Sequence, residues 1–174
     1  QYQLADVLHM GGMGIIYEGT QLSIDRRVAV KVLRPTLAEE VEYIKRFQRE
    51  IELISKFFHQ NIVTAIDAGR DAGGLHFLVT EYIDGKTVRE LFDGGKLGLI
   101  DLTRLLQQVC DALWEAHTED IIHRDLKMDN IMVKRRSDGQ VQAKILDFGV
   151  ARDFTDRSSL TKQGDVPGTP SIIA

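Results

Sequence analysis

Eight consecutive residues, His123-Arg124-Asp125-Leu126-Lys127-Met128-Asp129-Asn130, bring a cation, a carboxylate, an ammonium and an amide together directly after the apolar pair Ile121-Ile122. Seventeen residues beyond Asn130, after a second apolar run, stands Asp147 in Asp147-Phe148-Gly149. Two polar centres introduced in this way could face each other across a β-hairpin. Phosphoryl transfer needs such a pairing. One carboxylate orients a hydroxyl nucleophile, and another oxygen ligand holds a metal ion that neutralises phosphate charge.

A cation for the phosphates would have to come from elsewhere in the chain. Val28-Ala29-Val30-Lys31-Val32-Leu33 reads as a β-branched strand. A period of two puts Val28, Val30 and Val32 on one face and Ala29 and Lys31 on the other. A small residue beside a flat base, followed by a cation one step along, makes a sensible nucleotide face. A lone strand lysine reaching solvent is the commoner fate. From Val41 to Phe58, apolar residues at Ile44, Phe47, Ile51, Ile54 and Phe58 alternate steps of three and four, predicting an amphipathic helix. Glu50 falls on or beside that stripe. A buried carboxylate needs a partner, and Lys31 is the natural one. A boundary glutamate reaching water is the other reading. Upstream, His9-Met10-Gly11-Gly12-Met13-Gly14 separates the strand residues Tyr2–Leu8 from Ile15-Ile16-Tyr17-Glu18. Glycines let backbone amides approach phosphate oxygens, although a plain glycine-rich hairpin has the same composition.

Taken in order, Lys31, Glu50, Asp125, Lys127, Asn130 and Asp147 resemble the signature of the protein kinase superfamily. The Gly-Gly-Met-Gly run is especially similar to bacterial, eukaryotic-type (Hanks-type) Ser/Thr protein kinases. The departures are His9 for the first loop glycine, Gln60 for a proline after the helix, and Met128 for a proline in the catalytic loop. The resemblance implies an α+β, two-lobed fold. Residues 1–82 would form the N-lobe, an antiparallel five-stranded sheet with one helix. Residues 83–174 would form part of a helical C-lobe, cut before its remaining helices. It also implies ATP and Mg2+ as cofactors.

Carried over residue by residue, Met10, Gly11, Gly12, Met13, Gly14, Ile16, Ala29, Lys31, Glu50 and Met132 surround the nucleotide. Thr80 becomes a gatekeeper, and Glu81 and Ile83 offer hinge backbone to the adenine. Asp125 orients the substrate hydroxyl, Lys127 steadies the γ-phosphate, and Asn130 and Asp147 bind magnesium, with Phe148 packed beneath. His123 reads as a core scaffold residue. The lysine two after Asp125 points to Ser/Thr specificity. Residues 150–166 resemble an activation segment in which Thr161 is the expected phosphosite and Arg124 its partner. Gly168-Thr169-Pro170 resembles a substrate-facing loop, with Thr169 toward Asp125 and Lys127.

The expected activity is transfer of the ATP γ-phosphate to Ser or Thr of protein substrates, in signalling, with self-association for autophosphorylation. Two other readings share these residues. One is a pseudokinase, a nucleotide-binding regulatory module without turnover. The other is a transferase of the same fold that acts on small molecules, which the Gly-Thr-Pro setting of Thr169 opposes.

Composition bounds the rest. The chain has 174 residues, 43% of them hydrophobic and 28% charged, enough for a real core. Its 22 basic and 26 acidic residues leave a net charge of −4, which argues against nucleic acid as a bulk electrostatic partner. Cys110 is alone, which fits a reducing compartment, and no Cys/His spacing suits zinc. No apolar run approaches a membrane span, and the first residues lack a charged-then-apolar signal pattern. The expected location is cytoplasmic, whether free or as the cytoplasmic part of a membrane-anchored protein. A helix capped by Asp101 and running through Thr118 is predicted, with Leu102, Leu106, Val109, Leu113 and Ala116 as its buried stripe and Trp114 and Cys110 as packing residues. Strands are expected at Ile62–Ala68 and Leu75–Tyr82, and a hairpin around Asp138-Gly139. A fragment ending at Ala174 is expected to be nearly inactive and to expose an apolar surface where further helices would pack.

Overall fold

The computed structural model describes residues 1–147. The N-terminal half is a sheet with one helix. Strands β1 (Tyr2–Met10), β2 (Gly14–Gln21), β3 (Arg26–Leu33), β4 (Ala65–Arg70) and β5 (His76–Glu81) form an antiparallel sheet in the order β1-β2-β3-β5-β4. Helix α1 (Val41–Ile54) lies against one face. Its Phe47 and Ile54 pack with Leu33, Val63 and Leu78, all nearly inaccessible. Val28, Val30 and Val79 cover the opposite face with Tyr2 and Phe77. The alternation expected along β3 is therefore realised, and Leu33 shares the Lys31 face.

The second half is built on another sheet. A short strand β6 (Lys86–Thr87) pairs with β7 (Ile131–Arg135), which pairs with β8 (Val141–Ile145). Helices α2 (Val88–Asp93) and α3 (Leu99–Thr118) accompany it. Its core joins Leu105, Val109, Ala112 and Ala116 of α3 to Val133, Val141, Ala143 and Ile145. Gly139 turns the β7–β8 hairpin with φ of 79°, as the Asp-Gly signal predicts. The two halves are stitched by backbone. Ile145 donates its N–H to Asn61 O at 2.7 Å, and Val63 donates to Ile145 O at 2.9 Å.

Several expectations are corrected. Helix α1 stops at Ile54, not Phe58, and Phe58 is 92% exposed. Phe57 is buried instead, because the chain leaves the helix there and turns toward the second core. Residues 62–64 are not strand. Ile62 bridges β8 in parallel, and β4 begins only at Ala65. The stretch after the hinge is not a bare polar turn but β6 and α2. A capping box starts α2, in which Thr87 and Glu90 exchange hydrogen bonds.

Helix α3 begins at Leu99 with Gly98 as its N-cap, and Asp101 lies inside the first turn. There Asp101 accepts a hydrogen bond from Arg135 at 3.2 Å. The buried stripe is Leu105, Val109, Ala112 and Ala116, rotated from the expected one. Leu106 and Trp114 are exposed, and so is Cys110.

Candidate active site

Local conformation brings the polar centres together. Ile16 and Lys31 stand opposite each other across β2 and β3, and Ala29 stands opposite Thr80 across β3 and β5. Residues directly opposite share a sheet face, so Ile16, Ala29, Lys31 and Thr80 line one surface. On that side α1 presents Glu50, which is 3% exposed. Lys31 Nζ donates to Glu50 Oε1 at 2.6 Å and to Asp147 Oδ2 at 3.1 Å.

One ammonium therefore serves two carboxylates. Burial works against the Lys31 charge, but Asp147 and Glu50 outweigh it and hold its pKa above the usual lysine value. Burial pushes the Glu50 carboxyl up to about 7; Lys31 opposes this, while the Asp147 charge adds to it.

The glycine loop is tied to the same sheet. Gly11 N–H donates to Gly14 O at 2.9 Å, and Arg34 reaches Gly11 O with Nε at 3.0 Å and Met13 O with its backbone N–H at 3.1 Å. A Cβ on Gly14 would lie 2.9 Å from Val32 O, so β2 and β3 approach as closely as only glycine allows. Met13 packs on the α1 core, while Met10 is 65% exposed and Gly12 is exposed.

The catalytic-loop candidates form a second centre. His123 is buried, and burial keeps its imidazole pKa below the usual value, so it is a neutral core group near pH 7. Arg124 takes a left-handed φ of 62°, and Asp125 N–H then donates to His123 O at 2.9 Å. A non-glycine residue there costs of order 1–3 kcal/mol, so the turn holding Asp125 is conformationally demanding. Lys127 Nζ lies 2.8 Å from Asp125 Oδ2. Asn130 Nδ2 donates to Asp125 O at 2.8 Å and to Oδ2 at 3.1 Å. The amide nitrogen thus faces Asp125, which turns Oδ1 the other way. The two centres meet through the hairpin, where Leu146 N–H donates to Asn130 O at 2.8 Å, one residue before Asp147.

Asn130 and Asp147 offer hard oxygen ligands of the kind magnesium takes, with phosphates and water completing its shell. Among the described residues no group of three or more His, Cys, Asp or Glu could hold a metal ion alone. The donor set therefore fits an ion that arrives with a phosphate ligand.

At the junction, Glu81 N–H donates to Thr64 O at 3.0 Å, and Ile83 is 7% exposed. Met132 lies in the second sheet between Thr87 and Lys144. Two contributors went unnoticed in the sequence. Arg34 anchors the glycine loop, and Lys144 is a buried cation that contacts Glu81. The signal for Lys144 is a lone lysine inside an apolar strand, three residues before Asp147. Phe148, Gly149, Thr161, Gly168, Thr169 and Pro170 lie outside the described residues.

Comparison with known proteins gives this arrangement a family. The sequence pattern described as "Protein kinase domain" matches residues 2–174. The chain is 37% identical to serine/threonine-protein kinase pkn3 of Myxococcus xanthus, covering 100% of this chain and 32% of that protein. It is 35% identical to serine/threonine-protein kinase PknB of Mycobacterium leprae, over 100% of this chain and 28% of the relative. For serine/threonine-protein kinase PrkC of Bacillus subtilis the values are 33%, 100% and 26%. Among solved structures, the Mycobacterium tuberculosis PknI kinase domain superposes with a TM-score of 0.69 at 27% identity, covering 86% of this chain and 59% of that one. The chain belongs to the protein kinase domain family and has its fold. It spans about a third or less of the length of these curated relatives.

Proposed function

We propose that the protein carrying this chain is an ATP-dependent Ser/Thr protein kinase. The observation that carries the reading is the convergence of two centres. Lys31 is held by Glu50 and Asp147, and Asp125 is held by Lys127 and Asn130; one hydrogen bond at Leu146 joins them. The names of the relatives, all serine/threonine-protein kinases, support the substrate class.

In this reading the Ile16, Ala29 and Thr80 face receives the base, with Met132 beneath it and Glu81 and Ile83 offering backbone to its edge. Lys31, fixed by Glu50, binds the α- and β-phosphates, and amides of residues 10–14 cover them. Asn130 and Asp147 hold magnesium, which offsets the charge that develops during transfer. Asp125 orients the acceptor hydroxyl and takes its proton late. Lys127 holds the γ-phosphate as negative charge shifts, and catalysis is positioning plus electrostatics. Modification of Thr161, its pairing with Arg124, substrate contact by Thr169 and self-association are proposed on sequence resemblance.

The test is autophosphorylation of the natural protein carrying this chain, with Mg-ATP, beside Asp125→Asn. Label on Thr161 or a neighbour is expected, falling by about 10²–10⁴-fold in the variant while ATP binding persists. An unsubstituted protein that binds ATP yet labels neither itself nor a generic basic protein would sink the proposal.

A further inference from the structure

Strand β8 alternates cleanly except at one position. Val141, Ala143 and Ile145 enter the core with α3, while Lys144, on the other face opposite Met132, is 8% exposed. A lysine this buried must have partners. Its Nζ donates to Glu81 Oε1 at 2.6 Å and to Ile62 O at 3.2 Å. The same Oε1 accepts from Thr64 N–H at 2.9 Å, and Glu81 N–H returns a bond to Thr64 O at 3.0 Å. Glu81 is therefore held at both backbone and side chain. Burial would raise its pKa, but the Lys144 and Thr64 hydrogen bonds outweigh burial and keep the carboxyl below its usual value.

We propose that Lys144 is a positioning residue for nucleotide selection, its buried ion pair setting the hinge backbone at Glu81 against the strand that carries Asp147. The inference rests on the nucleotide reading given above. Lys144 stands three residues before Asp147. One cation thus links the end of β5, where the base edge would meet backbone, to the strand leading to the phosphate end. Without the ammonium, the Glu81 carboxylate keeps its charge but loses its shortest contact. It is then drawn toward water, and the Glu81 carbonyl shifts with it. Removing one side of a buried charge-assisted contact is more costly than removing a neutral one. A merely structural lysine would cost stability without changing which base is preferred.

The test is calorimetric binding of Mg-ATP and of Mg-inosine triphosphate, which lacks the 6-amino donor, to the natural protein carrying this chain. Lys144→Met and, as a second variant that keeps the side-chain shape, Glu81→Gln are compared with the unsubstituted protein. ATP affinity is expected to fall by about tenfold in each, and inosine triphosphate affinity by less than about twofold, so the preference for ATP collapses. The double variant is expected to lose no more than the worse single one. Unchanged ATP preference in a variant that folds, or equal loss for both nucleotides, would overturn the inference. An unsubstituted protein that binds neither nucleotide would overturn the nucleotide reading and this inference with it.

Discussion

Glu50 carries the sharpest consequence at the scale of single residues. Its carboxyl shares one ammonium with Asp147 and is pushed from the usual 4.5 up to about 7. A raised folded-state pKa means the folded protein binds that proton more tightly than the unfolded chain. The associated stability is fully present below pH 4.5 and is lost as pH rises through about 7. Glutamine mimics the protonated form. Glu50→Gln is therefore expected to gain melting temperature relative to the unsubstituted protein as pH rises across that window, while catalysis falls because Lys31 loses its charged anchor. A melting-temperature difference independent of pH would remove the two-carboxylate account. Phe47 is simpler. It is fully buried between α1 and the sheet. Phe47→Ala should cost about 3–5 kcal/mol in denaturant unfolding, through lost transfer energy and a residual cavity.

At the scale of elements, close approach and capping decide what the hinge leads into. A Cβ on Gly85 would stand 2.3 Å from Val133 O. Gly85→Ala must push β6 off β7 and is expected to destabilise by about 1–3 kcal/mol, read as a fall in denaturant midpoint with an unchanged slope. Thr87 accepts from Glu90 N–H at 3.1 Å, and Glu90 Oε2 accepts from Thr87 N–H at 2.7 Å. Thr87→Ala should cost about 1 kcal/mol by the same measurement. The Thr-x-x-Glu pattern was present in the sequence as a helix-start signal. It was overlooked because α2 has only six residues and shows little apolar periodicity. Helix α3 is the converse case. Its length was legible, but Leu106 and Leu105 are equally apolar, and nothing local says which turns inward.

The molecule as a whole has two cores and one uncovered face. Leu99, Ile100, Leu106 and Trp114 of α3, with Ile122, are between 56% and 81% exposed. Apolar exposure on this scale is uncommon for a surface that has no partner. The 174-residue chain on its own is expected to bind an apolar-surface dye at neutral pH. A cooperative melt without dye binding would show that the face is tolerated in water. No described helix is long and apolar enough to cross a membrane.

The sequence alone determined the order of the elements, the alternation along β3, the glycine turns and the identity of nearly every polar group at the site. These depend on local chemistry: period two, period 3.6, positive φ, and residue types that bind phosphate or metal. Tertiary structure alone decided which groups share a partner. Lys31 meets Asp147 across 116 residues, and Lys144 meets Glu81 across 63. It also decided that Phe57 rather than Phe58 is buried, and that Leu105 rather than Leu106 faces β8. Burial is a property of what lies opposite a side chain. Two adjacent residues of the same polarity become different only when the rest of the chain folds against one of them.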